Sequence, residues 1–176
     1  MRLIHVIAVL LAVILCLLGV LMVWPEPMFV AGGAHPEIRG MNVGGDGLAR
    51  LGGAHWLLFA LQCSVLVLKL LLVALGVAEH HRDRTFWCWL TLIGVVVLGV
   101  WWGMYSSYLD YLHSGESPIA LGFPLATAFM LFGVYTGGSL LCVLYVAGFR
   151  RFIFSEADEA AYEALRAEAN APRASS

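Results

Sequence analysis

The chain has 176 residues and a formal net charge of −2. Hydrophobic residues make up 61% of it and charged residues 12%, against roughly 45–50% and about 25% in soluble domains. This composition excludes a soluble globular fold, because a chain of this length has too little interior to cover so much apolar surface. The small net charge and the lack of a basic run argue against a nucleic-acid partner.

Four apolar segments are each long enough to cross a membrane, which takes about 20 helical residues. They predict helices at about 5–24, 55–78, 85–110 and 118–149. The first segment is longer than the hydrophobic part of a usual signal peptide, so we expect a retained helix. Ser117 and Pro118 suit the N-cap and the first turn of the fourth helix. The sequence therefore predicts an all-α integral membrane four-helix bundle over residues 1–154.

Two polar segments lie outside the predicted spans. The first, residues 25–54, contains eight glycines and is predicted to be an outer loop lying flat over the helix ends, since glycine adopts conformations closed to other residues. The second, residues 155–176, begins with Ser-Glu-Ala-Asp at 155–158, a pattern similar to a capping box. Alanine and glutamate follow, so we predict a short cytosolic helix to about Glu168 and a disordered end.

The arginines predict the orientation of the chain. With four spans, both termini and the middle turn share one side, whose span ends carry Arg2, Arg82, Arg84, Arg150 and Arg151. The other side carries Arg39 and Arg50. Because cytoplasmic loops carry an excess of Lys and Arg, we expect both termini in the cytoplasm and the spans in a bacterial inner (plasma) membrane.

Tryptophans lie near the ends of the predicted spans, as interfacial aromatic belts do. We place Trp24, Trp56, Trp101 and Trp102 at the outer interface and Trp87 and Trp89 at the inner one.

The second predicted helix carries the most informative residues. His55, Gln62, Lys69 and Gly76 recur at intervals of seven, so they fall along one helix face, here called the polar stripe. Lys69 is a charge near the middle of a span, where its cost is roughly 2.5–3.5 kcal/mol on insertion scales, so we expect it to face protein or water. The other interpretation is that Lys69 extends to the interface while Gln62 bridges helices. No acidic residue lies deep inside another predicted span, so a carboxylate partner must come from another chain or a ligand.

Two pairs of glycines match the small-residue packing motif of membrane helices. These are Gly99 with Gly103 on the third helix and Gly133 with Gly137 on the fourth. They predict close packing within the bundle or, alternatively, contact with another protein.

Histidines and cysteines give no recognised metal signature. His35, Glu37, Asp46, His55 and His113 share the outer side, but their spacing fits no known metal site and predicts solvated residues. The four cysteines fall one in each span without a CxxC. We therefore predict no metal and no cofactor; a Cys16–Cys63 pair stays open.

The function hypotheses follow from what the sequence lacks. It contains no GxSxG, HExxH or redox CxxC motif, which argues against an enzyme without excluding one. The size and the four-span plan are similar to those of small membrane subunits of transporters and respiratory assemblies, although no motif identifies a family. The leading hypothesis is a non-catalytic accessory subunit in the lipid bilayer, bound to a larger integral membrane protein or to copies of itself. The alternative is a membrane-embedded site for a lipid, quinone or ion along the polar stripe.

Overall fold

The computed structural model describes residues 3–25, 33–44 and 53–170, and the chain there is mostly helical. Four helices are long and apolar enough to cross a membrane, namely α1 (Leu3–Met22), α2 (His55–Gly76), α3 (Arg84–Ser114) and α4 (Leu125–Ala147). Between 6% and 22% of each apolar window is buried inside the chain. Most of this surface therefore faces outward, as expected of a multi-pass membrane protein whose solvent is lipid.

Consecutive spans pack against one another: α1 against α2, α2 against α3, and α3 against α4. We call the end of the spans that holds the start of α1, the α2–α3 turn and the chain after α4 the tail-side end, and the opposite end the loop-side end. At the tail-side end, Ala74, Val77, Phe86, Leu90 and Phe152 form a buried cluster. This cluster joins α2, α3 and the chain that follows α4.

The turn between α2 and α3 is closed by side-chain caps. It contains a short 3₁₀ helix, Glu79–His81. Arg82 donates from Nε to the carbonyl oxygen of Val77 over 2.8 Å. Asp83 is the N-cap of α3 and accepts from the backbone N–H of Phe86 over 2.7 Å, which satisfies one of the N–H groups that a helix start leaves unpaired.

The first loop is described over 33–44, where β1 (Gly33–Ala34) pairs antiparallel with β2 (Asn42–Val43). The backbone N–H groups of Glu37 and Ile38 both donate to Nδ1 of His35, at 3.1 Å each. This histidine therefore shapes a turn. The rest of the predicted outer loop, 26–32 and 45–52, lies outside the described residues.

The fourth span begins at Leu125, seven residues later than the sequence predicted. The segment before it is a hairpin in which β3 (Ile119–Ala120) pairs with β4 (Phe123–Pro124). Its turn places Leu121 at φ 54° and Gly122 at φ 84°, the left-handed conformation typical of tight two-residue hairpins.

The predicted N-cap role of Ser117 and first-turn role of Pro118 are therefore wrong as stated. Their polar atoms still reach the helix start from across the hairpin. The backbone N–H of Leu125 lies 2.9 Å from the carbonyl oxygen of Pro118 and 3.3 Å from Oγ of Ser117, and donates to both. α4 also contains a π-helical stretch, Phe129–Gly133.

After α4, a π-helical turn, Phe149–Ile153, leads into α5 (Glu156–Asn170). The predicted capping box is confirmed: the N–H of Asp158 donates to Oγ of Ser155 at 3.3 Å, and the N–H of Ser155 donates to Oδ2 of Asp158 at 2.9 Å. Residues 171–176, predicted to be disordered, lie outside the described residues.

Candidate functional site

The polar stripe lies on the surface of the isolated chain. Lys69 and Gly76 are exposed, and His55 and Gln62 are half-buried. A Cβ added at Gly76 would meet nothing within 4 Å, so no described neighbour packs against the stripe at that position. Within residues 3–25, 33–44 and 53–170, Lys69 has no hydrogen-bond or ion-pair partner. A protein partner for Lys69 must therefore come from outside the described residues.

The position of Lys69 along α2 determines what its ammonium group meets. Lys69 is seven residues before Gly76, where α2 ends, which is about 10 Å at about 1.5 Å per residue. An extended lysine side chain is shorter than that distance, so it brings the charge towards the tail-side interface without reaching the end of the helix. If the hydrocarbon extends to the end of α2, the charge lies at a depth where lipid supplies no hydrogen bonds.

Three glycines of the two packing motifs lie between α3 and α4. A Cβ at Gly103 would come within 2.7 Å of the Phe129 ring, and one at Gly137 within 2.9 Å of Val97. Gly133 is also too close to α3 for a Cβ. The glycines therefore let these two helices approach closely, as small residues do in membrane proteins.

Gly99 differs from the other three, since a Cβ there would meet nothing within 4 Å. Gly94, which the motif search missed, is buried on α3, and a Cβ there would lie 2.9 Å from Leu70 of α2. Gly94 has no glycine or other small residue four positions away, so the pairwise motif could not find it.

Aromatic side chains join α2 and α3 near the loop-side end. The ring centroids of Phe59 and Tyr105 are 4.5 Å apart, and Phe59 stacks on Trp101 at 6.1 Å. Trp56 and Trp102 also contact this group. The remaining predicted interfacial tryptophans are Trp24, Trp87 and Trp89, all exposed. Part of the predicted belt is therefore an interhelical contact.

A polar cluster that the sequence did not predict lies at the tail-side end. Nε2 of His81 lies 2.8 Å from Oδ2 of Asp158, and Nε2 of His80 lies 3.7 Å from Oδ1 of the same carboxylate. Hydrogen bonds from the Ser155 hydroxyl and N–H, and then from His81, hold the pKa of Asp158 far below its ordinary value. His81 and Asp158 are 77 positions apart, so no local pattern could have brought them together.

Two charge pairs flank this cluster. Arg150 pairs with Glu159 of α5, and Arg151 pairs with Asp83 at 2.7 Å. The hydrogen bond to Glu159 raises the pKa of Arg150. Hydrogen bonds from the Phe86 N–H and, to a smaller extent, from Arg151 lower the pKa of Asp83. Together they fix the start of α5 beside the α2–α3 turn.

The residues that share the outer side in the sequence are His35, Glu37, Asp46, His55 and His113. Those among them that the structure describes do not form a group of metal ligands. Within the described ranges, one group of three possible metal ligands forms, and it consists of His80, His81 and Asp158. Asp46 lies outside those ranges. The cysteines Cys16, Cys63, Cys88 and Cys142 are unpaired.

An apolar groove of about 480 Å³ runs between α3 and α4 towards the tail-side end. Aliphatic side chains line most of it, and Thr85 and Arg151 lie at its polar end. Two further grooves follow α4 near Ser139 and Val143. None of these three grooves is lined by a residue of the polar stripe.

Comparison with protein-family models, with curated proteins and with solved structures gives no match.

Proposed function

We propose that this chain is a small, non-catalytic integral membrane subunit that packs against a different and larger membrane protein. The observation that carries the proposal is Lys69, an exposed lysine without a partner among the described residues, at depth in α2. A lysine at the bilayer centre costs roughly 2.5–3.5 kcal/mol on insertion scales. A carboxylate or carbonyl oxygen of a neighbouring protein would offset that cost.

Within the described span helices, a second copy of the chain in the same orientation offers no carboxylate at the depth of Lys69. The acidic residue within the span helices is Asp110, four residues before the loop-side end of α3 at Ser114. Lys69 lies in the tail-side half of α2, seven residues before its end at Gly76. Parallel copies would therefore hold these two charges at different depths, which favours a heteromeric partner over a homo-oligomer.

The alternative function, a lipid, quinone or ion site along the polar stripe, receives less support. A small-molecule site is normally a concave pocket with convergent polar groups, whereas the stripe is an open helix face. The three grooves described above follow α3 and α4 instead. An open face with one charge suits a helix–helix contact better.

We further propose that both termini face the cytoplasm of a bacterial inner membrane, because five arginines flank that side and two the other. Fusions at Ser176 and within Gly40–Gly47 test this, with alkaline phosphatase reporting the outside and a fluorescent protein the cytoplasm. We expect phosphatase activity from the internal fusion alone. Activity from the Ser176 fusion would overturn the orientation.

Site-specific photo-crosslinking in native membranes tests the partner surface. The probe replaces Leu72, which is 48% exposed and one helical turn from Lys69, or Val95 on α3, which is 63% exposed. We expect Leu72 to give an adduct with one defined larger polypeptide and Val95 to give lipid adducts. Lipid or quinone adducts alone at Leu72 would overturn the proposal and favour the alternative.

A further inference from the structure

We infer that His80, His81 and Asp158 form a binding site for a divalent transition metal ion of the zinc type. This inference is independent of the proposed subunit function, because the three residues lie outside the spans and include no residue of the polar stripe.

The geometry of the three side chains suits such an ion. The ligand atoms all lie within 4.8 Å of one another, with His81 at 2.8 Å and His80 at 3.7 Å from the two oxygens of Asp158. Zinc binds nitrogen and carboxylate oxygen at about 2.0–2.2 Å in a tetrahedral arrangement, which places neighbouring ligand atoms about 3.3 Å apart. These two nitrogen–oxygen separations lie on either side of that value and involve the two different oxygens of Asp158. Rotations of the carboxylate and of the exposed His80 side chain that present one oxygen to both imidazoles would complete the set.

The charge and the hydrogen bonding also suit a cation. Both imidazoles direct Nε2 towards one carboxylate, and the Ser155 hydroxyl and N–H hold its Oδ2 atom at 2.7 and 2.9 Å. Such outer hydrogen bonds orient metal ligands. The neighbouring cations Arg150 and Arg151 are each paired with a carboxylate, which reduces their repulsion of a metal ion.

A nitrogen–nitrogen–oxygen ligand set is borderline in softness and favours zinc, cobalt, nickel or copper over magnesium or calcium. The His80 side chain is 67% exposed, so the fourth position is open to water. A bound ion would join the α2–α3 turn to α5. Its effect is therefore to fix the C-terminal helix against the membrane domain.

Zinc titration of the detergent-purified full chain, with any affinity tag removed and magnesium in excess, tests the site. We expect one ion per chain, and visible absorption typical of tetrahedral coordination when cobalt replaces zinc. His80→Gln and Asp158→Asn should each weaken binding about tenfold or more. His113→Gln, at the loop-side end of α3, is the matched control and should leave binding unchanged.

Limited proteolysis gives a second measurement, which reports the docking of α5 and not a binding constant. At a zinc concentration that fills the wild-type site but not the weakened one, zinc should slow cleavage within α5 in the wild-type chain and in His113→Gln, but not in His80→Gln. His80 is largely exposed, so His80→Gln leaves the fold intact and its result can be interpreted. Equal zinc affinity in wild type, His80→Gln and Asp158→Asn, or protection that His80→Gln retains, would overturn the inference.

Discussion

Arg151 donates a hydrogen bond of 2.7 Å to the carboxylate of Asp83, which lies 68 positions earlier in the chain. The other oxygen of the same carboxylate accepts from the backbone N–H of Phe86 at the start of α3. The Asp83 side chain therefore caps α3 and also binds Arg151 in the turn that follows α4. This double role fixes the two helix ends relative to each other.

Substitution of Asp83 separates its two roles. Asparagine still caps a helix but carries no charge, so Asp83→Asn should lower the free energy of unfolding only slightly, because an exposed ion pair contributes little. Asp83→Ala also removes the cap and should lower the free energy of unfolding clearly further. Unfolding of the chain in lipid bicelles measures both variants. Equal losses would show that Asp83 does not act as the N-cap of α3.

Close packing of α3 on α4 predicts opposite effects for two adjacent glycines. A Cβ at Gly137 would come within 2.9 Å of Val97, whereas one at Gly138 would meet nothing within 4 Å. Gly137→Ala should therefore destabilise the chain by about 1–3 kcal/mol through overpacking. Gly138→Ala should be neutral or slightly stabilising, because alanine favours helix. The same bicelle unfolding assay compares them, and a more harmful Gly138→Ala would contradict the packing.

The spans were predictable because about 20 consecutive apolar residues leave little alternative to a membrane helix. The start of α4 was not, because Ile119–Pro124 is as apolar as the helix that follows it. These residues are not helical because Leu121 and Gly122 form a left-handed turn. Two residues in the sequence favour this break in the helix: Gly122, which suits the turn, and Pro124, which disfavours a helical conformation at the residue before it.

For the surface residues too, the sequence predicted what depends on local spacing and missed what depends on the fold. Spacing by seven placed the polar stripe on one face of α2, because helical periodicity is a local property. Whether that face is covered depends on which helices pack beside it, and the sequence does not encode this locally. The contact between His81 and Asp158 joins elements that are 77 positions apart, so it required the fold.

Docking of α5 should depend on pH through Asp158. Hydrogen bonds from Ser155 and then His81 lower the pKa of this carboxyl far below its ordinary value. A carboxyl whose pKa is lowered by folding contributes stability above its unfolded pKa, and the contribution is lost as pH falls through the folded value.

A spin label at Leu165, which is 65% exposed, reports the mobility of α5 in the presence of a chelator. Asp158→Asn should make α5 more mobile than in the wild type at both about pH 7 and about pH 5. The difference should shrink only below about pH 4. A difference that has already vanished at about pH 5, or no difference at any pH, would contradict the role of this carboxylate.

We propose that the charge of Lys69 binds a polar group of the partner protein, and the strength of the complex in mild detergent tests this most directly. Lys69→Met keeps the length of the side chain and removes the charge, which leaves the partner's polar group unsatisfied and should weaken association by about 1–3 kcal/mol, or roughly 5- to 150-fold. Lys69→Arg keeps the charge and should retain most of the binding. On native gels we expect wild type and Lys69→Arg to migrate with a second, larger polypeptide, and Lys69→Met to dissociate from it on dilution. A wild-type chain that migrates alone, or a Lys69→Met complex as stable as the wild type, would contradict the account.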